Sequence, residues 1–256
     1  LGFSVVPWHD GVTSRPIFVV SDCTGEGAQL MVSSAWAQFG SPDEADVTLR
    51  PDVQSVADVS AVVAEAARCP EQPLSEGSGS GSRALIVYTM ASRELGAHLE
   101  GECRKQGIDC IDVLEPLLTA METFFDEARH GGRLVAGAAG TAGNEESGMD
   151  PAVFAVSCGS GNSTFHMACA ALRQFPSCGI RKVKVCPGVG SLEEVRVIVR
   201  RAAERGALVA FTFASPGMAR FMRQECELAG LCYADLFQPA LVTMESFLDH
   251  PFFGVP

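Results

Sequence analysis

The sequence predicts an α/β fold of two tandem repeats, each a small, open, mostly parallel sheet with helices on both faces. Three observations predict it. The stretch Ile17-Phe-Val-Val-Ser-Asp-Cys-Thr-Gly-Glu-Gly27 reads as a buried strand, a turn of small polar residues and the start of a helix. That stretch recurs, with Ser157, Ser160 and Gly161 matching Ser21, Thr24 and Gly25 at an offset of 136 residues. The register holds without a gap through Gln38-Phe39 and Gln174-Phe175, Val47 and Val183, Pro51 and Pro187, and Ser55 and Ser191. At a second offset of 123, Ala84 to Ser92 recurs as Ala207 to Ser215, and Cys103, Gly107, Asp112, Pro116, Met121 and Phe124 meet Cys226, Gly230, Asp235, Pro239, Met244 and Phe247. Two registers this long mark a duplication. Each copy alternates strand and helix patterns four times, which favours a parallel sheet covered on both faces.

The elements follow in order. Residues 1–16 hold Pro7, Gly11 and Pro16 without a period and read as an extended lead-in, with Trp8 expected against a domain surface. Repeat 1 covers 17–130. Ile17 to Val20 is a strand, and Ala28 to Phe39 a helix with Leu30, Met31, Ala35 and Phe39 at helical spacing. Val47 to Arg50 is the second strand. Pro51-Asp52 is expected to open a helix through Val53, Val56, Val59, Val62, Val63 and Ala67. An insertion at 70–83, ending Gly77-Ser-Gly-Ser-Gly-Ser82, reads as a solvated linker. Ala84 to Tyr88 is a strand, Thr89 to Ser92 a turn, and Arg93 to Gln106 a helix closed by Gly107. Ile108 to Val113 is a fourth strand and Pro116 leads the last helix. A Gly- and Ala-rich linker fills 131–152, and repeat 2 covers 153–256. The matched apolar helices around Met121-Phe124-Phe125 and Met244-Phe247-Leu248 predict that the copies pack about a pseudo-twofold axis.

With 256 residues, 47% of them hydrophobic, the chain can bury a core in each copy. No apolar run reaches the about 18 residues of a membrane-spanning helix, and no signal-peptide pattern opens the chain, which starts at Leu1 as a processed or trimmed product would. The ten cysteines lack the paired spacings of zinc or redox sites, so packed free thiols in a reducing compartment are expected and no metal site is. The net charge of −12 is uneven: residues 1–150 carry 9 Lys and Arg against 23 Asp and Glu, and residues 151–256 carry 10 against 8. So acidic a first half argues against a nucleic-acid partner. Arg196 and Arg200 share one helical face, read as solvated or as meeting the acidic copy, with an anionic partner as the further alternative.

In open parallel sheets ligands bind beyond the carboxyl ends of the strands. Candidate ligand-binding groups there are Ser21, Asp22, Thr24, Gly25 and Glu26 in the first turn, Thr89 and Ser92 in the third and Asp112 in the fourth. Their second-copy counterparts are Ser157, Ser160, Gly161 and Asn162, then Thr212, Ser215 and Asp235. The first stretch reads either as a helix-terminus anion site or as an ordinary turn capped by Thr24. Asp22 and Glu26 would repel phosphate unless a metal or an arginine intervened. Cys158 and Asn162 replace both acids in the second copy, which makes that crevice the more hospitable to an anion.

Ser21-Asp-Cys-Thr-Gly-Glu26, with Ala28, Ala35 and Gln38-Phe39 after it, resembles the opening of the regulatory proteins of pyruvate, phosphate dikinase and phosphoenolpyruvate synthase, and Ala202 to Met218 is similar to their plant-type members. The resemblance covers both copies but only the N-terminal domain of that family. It implies a bifunctional enzyme that phosphorylates a dikinase threonine with ADP as donor and removes that phosphate by phosphorolysis, in the chloroplast stroma or the cytoplasm. It also implies ADP and phosphate as ligands and a dikinase-like protein, or a larger assembly, as partner. The family's phosphate loop ends in Lys-Thr or Lys-Ser; the loops at Gly77, Gly137 and Gly159 lack that lysine. Cys23 stands for the usual Gly, Gly27 for the usual Thr and Cys158 for the aspartate. The chain is therefore expected to be a non-catalytic binding or scaffold subunit; the alternative is part of an active kinase and phosphorylase.

Overall fold

A computed structural model describes residues 15–39, 46–70, 82–126, 129, 151–176 and 182–252. Trp8, most of the lead-in, the 71–81 part of the insertion and the linker at 130–150 lie outside them. The first copy runs β1 (Ile17–Ser21), α1 (Glu26–Trp36) with a 3-10 turn at Ala37–Phe39, β2 (Val47–Arg50), α2 (Val56–Ala66), β3 (Leu85–Thr89), α3 (Arg93–Gln106), β4 (Asp109–Asp112) and α4 (Glu115–Phe125). The second runs β5 (Pro151–Ser157), α5 (Asn162–Leu172), β6 (Lys182–Cys186), α6 (Leu192–Glu204), β7 (Leu208–Thr212), α7 (Pro216–Leu228), β8 (Tyr233–Asp235) and α8 (Gln238–Leu248).

Each copy is a four-stranded sheet, ordered β2-β1-β3-β4 and β6-β5-β7-β8, and every pairing is parallel. The registers correspond: Ile17 lies opposite Val47 and Leu85, and Val153 opposite Val183 and Leu208. Side chains alternate across β1, with Ile17 and Val19 on the inner face and Phe18 and Val20 on the outer. The outer faces are covered by α2 and α3 in one copy and by α6 and α7 in the other.

The inner faces share one core. It is built from α1, α4, α5 and α8, with Met121, Phe175, Met244 and Phe247 inside it. Contacts between the copies come in matched pairs: α1 meets α5, α4 meets α5 and β8, and α8 meets α1 and β4. This is a pseudo-twofold arrangement. The buried Arg15 adds a clasp, donating from Nη1 to the Phe247 carbonyl.

Several local expectations shift. Helix α2 begins at Val56 because Ser55 and Asp58 form a capping box, while Asp52 takes φ 56° and its N–H reaches Cys23 O at 2.9 Å. Val56 is consequently 48% exposed, although Val53 packs in the core. Helix α1 starts at Glu26, and its buried face of Ala28, Met31, Val32 and Ala35 leaves Leu30 39% exposed. Arg196 pairs with Glu193 and Glu225 and stacks on Phe221, with α6 packed on its own copy. Its face is therefore solvated and does not meet the acidic copy. Among the described residues nine cysteines are free, no helix is long and apolar enough to cross a membrane, and no group of three His, Cys, Asp or Glu could hold a metal.

Candidate functional site

Strand β1 ends at Ser21, whose side chain is 1% exposed. Its Oγ accepts from Cys23 N at 3.1 Å and from Thr89 Oγ1 at 3.0 Å, tying the ends of β1 and β3 together. Asp22 points elsewhere. It is buried, its Oδ2 accepts from Ala91 N at 2.9 Å, and its Oδ1 has no partner among the described residues. Burial pushes its carboxyl up to about 6, against the pull of the Ala91 N–H.

Gly25, at φ 73°, is the N-cap of α1; Thr24 is exposed and makes no capping bond. A Cβ at Gly25 would sit 2.8 Å from Leu49 Cδ1, so only glycine lets the helix start this close to β2. Gln29 N reaches back to Gly25 O at 2.9 Å, while the earlier amides of the first turn have no acceptor among the described residues. Gly161 repeats the device at φ 78°, its Cβ position 2.8 Å from Val185.

A cavity of about 410 Å³ lies between the copies at the first of these turns. Ser21, Thr24, Gly27 and Thr89 form one wall, and the second copy's α5 forms the other with His166, Met167 and Arg173. A Cβ on Gly27 would stand 3.1 Å from Met167 Sδ, so the walls are in near contact there. Arg173 is half-buried; its Nε is sealed from solvent and has no acceptor among the described residues. His166 is exposed, its ring against the Phe165 ring at 5.7 Å, and Glu26 is exposed on the opposite wall.

The remaining candidates divide between capping and the second turn. Ser92 accepts from Leu95 N at 3.3 Å and Ser215 from Met218 N at 3.5 Å, capping α3 and α7. Asp112 Oδ1 accepts from Leu114 N and Glu115 N at 2.8 and 2.9 Å, and burial pushes its carboxyl up to about 7. Asp235 does the same for Phe237 N and Gln238 N and adds Arg223 Nη1 at 3.1 Å; burial pushes it upward too. In the second turn Ser157 Oγ accepts from Gly159 N at 3.1 Å, and Ser160 and Asn162 are exposed. Thr212 Oγ1 meets Thr164 Oγ1 at 2.8 Å.

The two turns differ where the repeat departs from itself. At the 136 offset, Ser163 and Thr164 replace Gly27 and Ala28. On the helices facing the turns, His166 and Arg173 replace Leu30 and Ala37. The first turn is therefore open and faces two basic side chains. The second has its buried hydroxyl filled by Thr164, and its symmetry-related helix carries Leu and Ala. His166 and Arg173 were not among the sequence candidates; polar residues at repeat positions that are apolar in the other copy were the signal.

Sequence comparison matches residues 17–137 and 153–253 to a family described as kinase/pyrophosphorylase. Individual relatives match one stretch the size of a single copy. A Syntrophomonas wolfei protein named as a pyruvate, phosphate dikinase regulatory protein 2 is 30% identical over 110 residues, 43% of this chain and 35% of the relative. A Bacillus subtilis protein of the same description is 30% identical over 44% of this chain and 38% of its own length. An Oryza sativa relative, described as chloroplastic, is 30% identical over 46% of this chain and 26% of its own length. The alignments thus span about a third of these relatives.

Proposed function

The chain belongs to the kinase/pyrophosphorylase family, and from that premise we propose that it is a regulatory binding module: two clasped copies that recognise a partner protein, a dikinase-like target or a larger assembly, and hold a ligand without transferring phosphate. ADP and phosphate are the ligands the resemblance brings forward, with the chloroplast stroma or the cytoplasm as compartment. The nine free thiols fit a reducing compartment of that kind.

One observation carries the reading. The cleft offers donors, namely the first-turn amides of α1 and Arg173, with Glu26 as the acid on its wall and no lysine there, while Asp22 is engaged by Ala91 N. Donors suffice to hold a ligand. Phosphoryl transfer also needs positive charge fixed on the moving group and a group that orients the attacking hydroxyl.

The test is a threonine-phosphorylation assay on the purified chain with ADP and a dikinase target, and the reverse reaction with phosphate. No turnover together with target binding is expected. Turnover in either direction sinks the reading in favour of part of an active bifunctional kinase and phosphorylase.

A further inference from the structure

We propose that Cys103 and Cys110 are a thiol–disulfide pair, a modification site of the first copy at which Cys110 meets an external disulfide and Cys103 resolves it. The inference goes beyond the binding-module reading and does not rest on it, since it concerns the outer face of one sheet and not the cleft.

The fold brings the two sulfurs together. Cys103 lies in the last part of α3, on the side that packs against the sheet, and is fully buried. Gly107, at φ 65°, closes the helix, and both Gly107 N and Ile108 N donate to Cys103 O. The chain therefore reverses at once into β4, an edge strand paired only with β3. Cys110 lies opposite Ile86 and packs on the same outer-face cluster as Cys103, and the two thiols share a hydrogen bond. A disulfide needs its sulfurs to close to about 2.05 Å, and the turn already sets these two side by side.

They differ in access and in ionisation. Cys103 is sealed, whereas Cys110 is half-buried and lines a second cavity of about 630 Å³ with Glu100, Arg104, Asp109 and, from the other copy, Phe247. The shared hydrogen bond holds the Cys110 thiol below its ordinary range, with Arg104 assisting and burial, Glu100 and Asp109 opposing. The same bond, then burial, pushes Cys103 upward. Cys110 is thus the entry thiol. Its thiolate attacks one sulfur of a low-molecular-weight disulfide, forming a mixed disulfide and expelling one thiolate, which takes up the proton that Cys110 released. Cys103 then gives up its proton and attacks Cys110 Sγ, and the second small thiol leaves with that proton. The protein pair loses two electrons, and the external disulfide gains them as two thiols. The second copy lacks the pair: Tyr233 stands at the Cys110 position, and Cys226, equivalent to Cys103, donates to Met222 Sδ at 3.8 Å instead. In a reducing compartment such a bond is transient, and its formation reports a change of redox state.

The experiment equilibrates the purified, reduced chain in glutathione buffers poised from reducing to oxidising, blocks the remaining thiols with N-ethylmaleimide and maps the peptides by mass spectrometry. A Cys103–Cys110 disulfide that forms and is reversed with the poise is expected. Under reducing conditions Cys110 should be alkylated at least about tenfold faster than Cys103 or Cys226, because reaction requires an accessible thiolate. Cys103→Ser should stop the reaction at one glutathione on Cys110, and Cys110→Ser should leave Cys103 reduced throughout. Circular dichroism checks folding, and should Cys103→Ser not fold, Cys103→Ala is expected to give the same trapped mixed disulfide. The wild-type map stands whether or not either variant folds. No Cys103–Cys110 bond at any poise, alkylation of Cys110 no faster than that of Cys226, or glutathione carried by Cys103 in Cys110→Ser would overturn the pair. Turnover in the transfer assay would end the non-catalytic reading and leave this pair untouched; a chain that binds its target but forms no such bond would do the reverse.

Discussion

The two copies share a backbone plan down to the left-handed glycine before each first helix, yet the surroundings of their strand-end turns differ: the first lines a cavity with His166 and Arg173 on its far wall. What separates them is not mainly the turns. Ser21 and Ser157 do the same job, each accepting from the amide two residues on. The difference lies in the helix that each turn faces, which belongs to the other copy. Duplication let one copy keep the turn while its twin supplied His166 and Arg173.

The largest effect tests the shared core on which that division of labour depends. Phe39 and Phe175 are equivalent residues, 0% and 1% exposed, and both lie in the cluster joining the copies. Truncation of either to Ala should cost about 3–5 kcal/mol, read from chemical denaturation. Equal losses with one cooperative transition are expected. Separate transitions for the two halves would break the comparison, because each copy would then hold a core of its own.

Next come the glycines. Gly25→Ala and Gly161→Ala each place a Cβ 2.8 Å from a side chain of the neighbouring strand, at a φ that side chains rarely adopt. The left-handed conformation alone costs roughly 1–2 kcal/mol, and the contact adds to it. Stability should fall alike in both variants, whereas phosphate binding should fall only with Gly25→Ala. Loss of binding in Gly161→Ala at full occupancy of the fold would show that the second turn takes part.

Much of the architecture was legible in the residues because repetition is robust: one register predicts its own copy, and four strand-helix alternations admit few sheets. Helix starts were less legible. Pro51 signals a helix, but Ser55 and Asp58 satisfy the first-turn amides of α2 directly, and the intervening residues cross the end of β1, with Val53 N bonded to Ser21 O. At the site, Ser21, Gly25 and Thr89 could be found from the turn itself. Ser92, Asp112, Ser215 and Asp235 carry oxygens of the same kind, and the structure engages them in capping, a use that sequence cannot separate from ligand binding. His166 and Arg173 were out of reach because they come from another element. Their role depends on how α5 crosses α1, which no local pattern encodes.

The smallest effect sharpens the comparison at the last turn of each sheet. Asp112 and Asp235 are equivalent and both accept two amides, but Asp235 has Arg223 beside it where the first copy carries Glu100. Burial holds Asp112 near 7 in the folded chain against an ordinary 3.8, with Glu115 pushing the same way and Arg129 opposing. Between those values the folded state keeps a proton that the unfolded state has lost. The stability this contributes is fully present below about pH 3.8 and disappears as pH rises through about 7. Asp112→Asn keeps an amide-accepting oxygen without the charge, so it should raise the melting temperature at pH 8.5, by about half as much at pH 5.5, and do little below about pH 3.8. The gain should be on the order of 1 kcal/mol, since the side chain is half-buried and partly screened. Asp235→Asn removes the partner of Arg223 and should lower stability at pH 8.5. If the two substitutions move the melting temperature in the same direction at pH 8.5, the arginine does not distinguish the two turns.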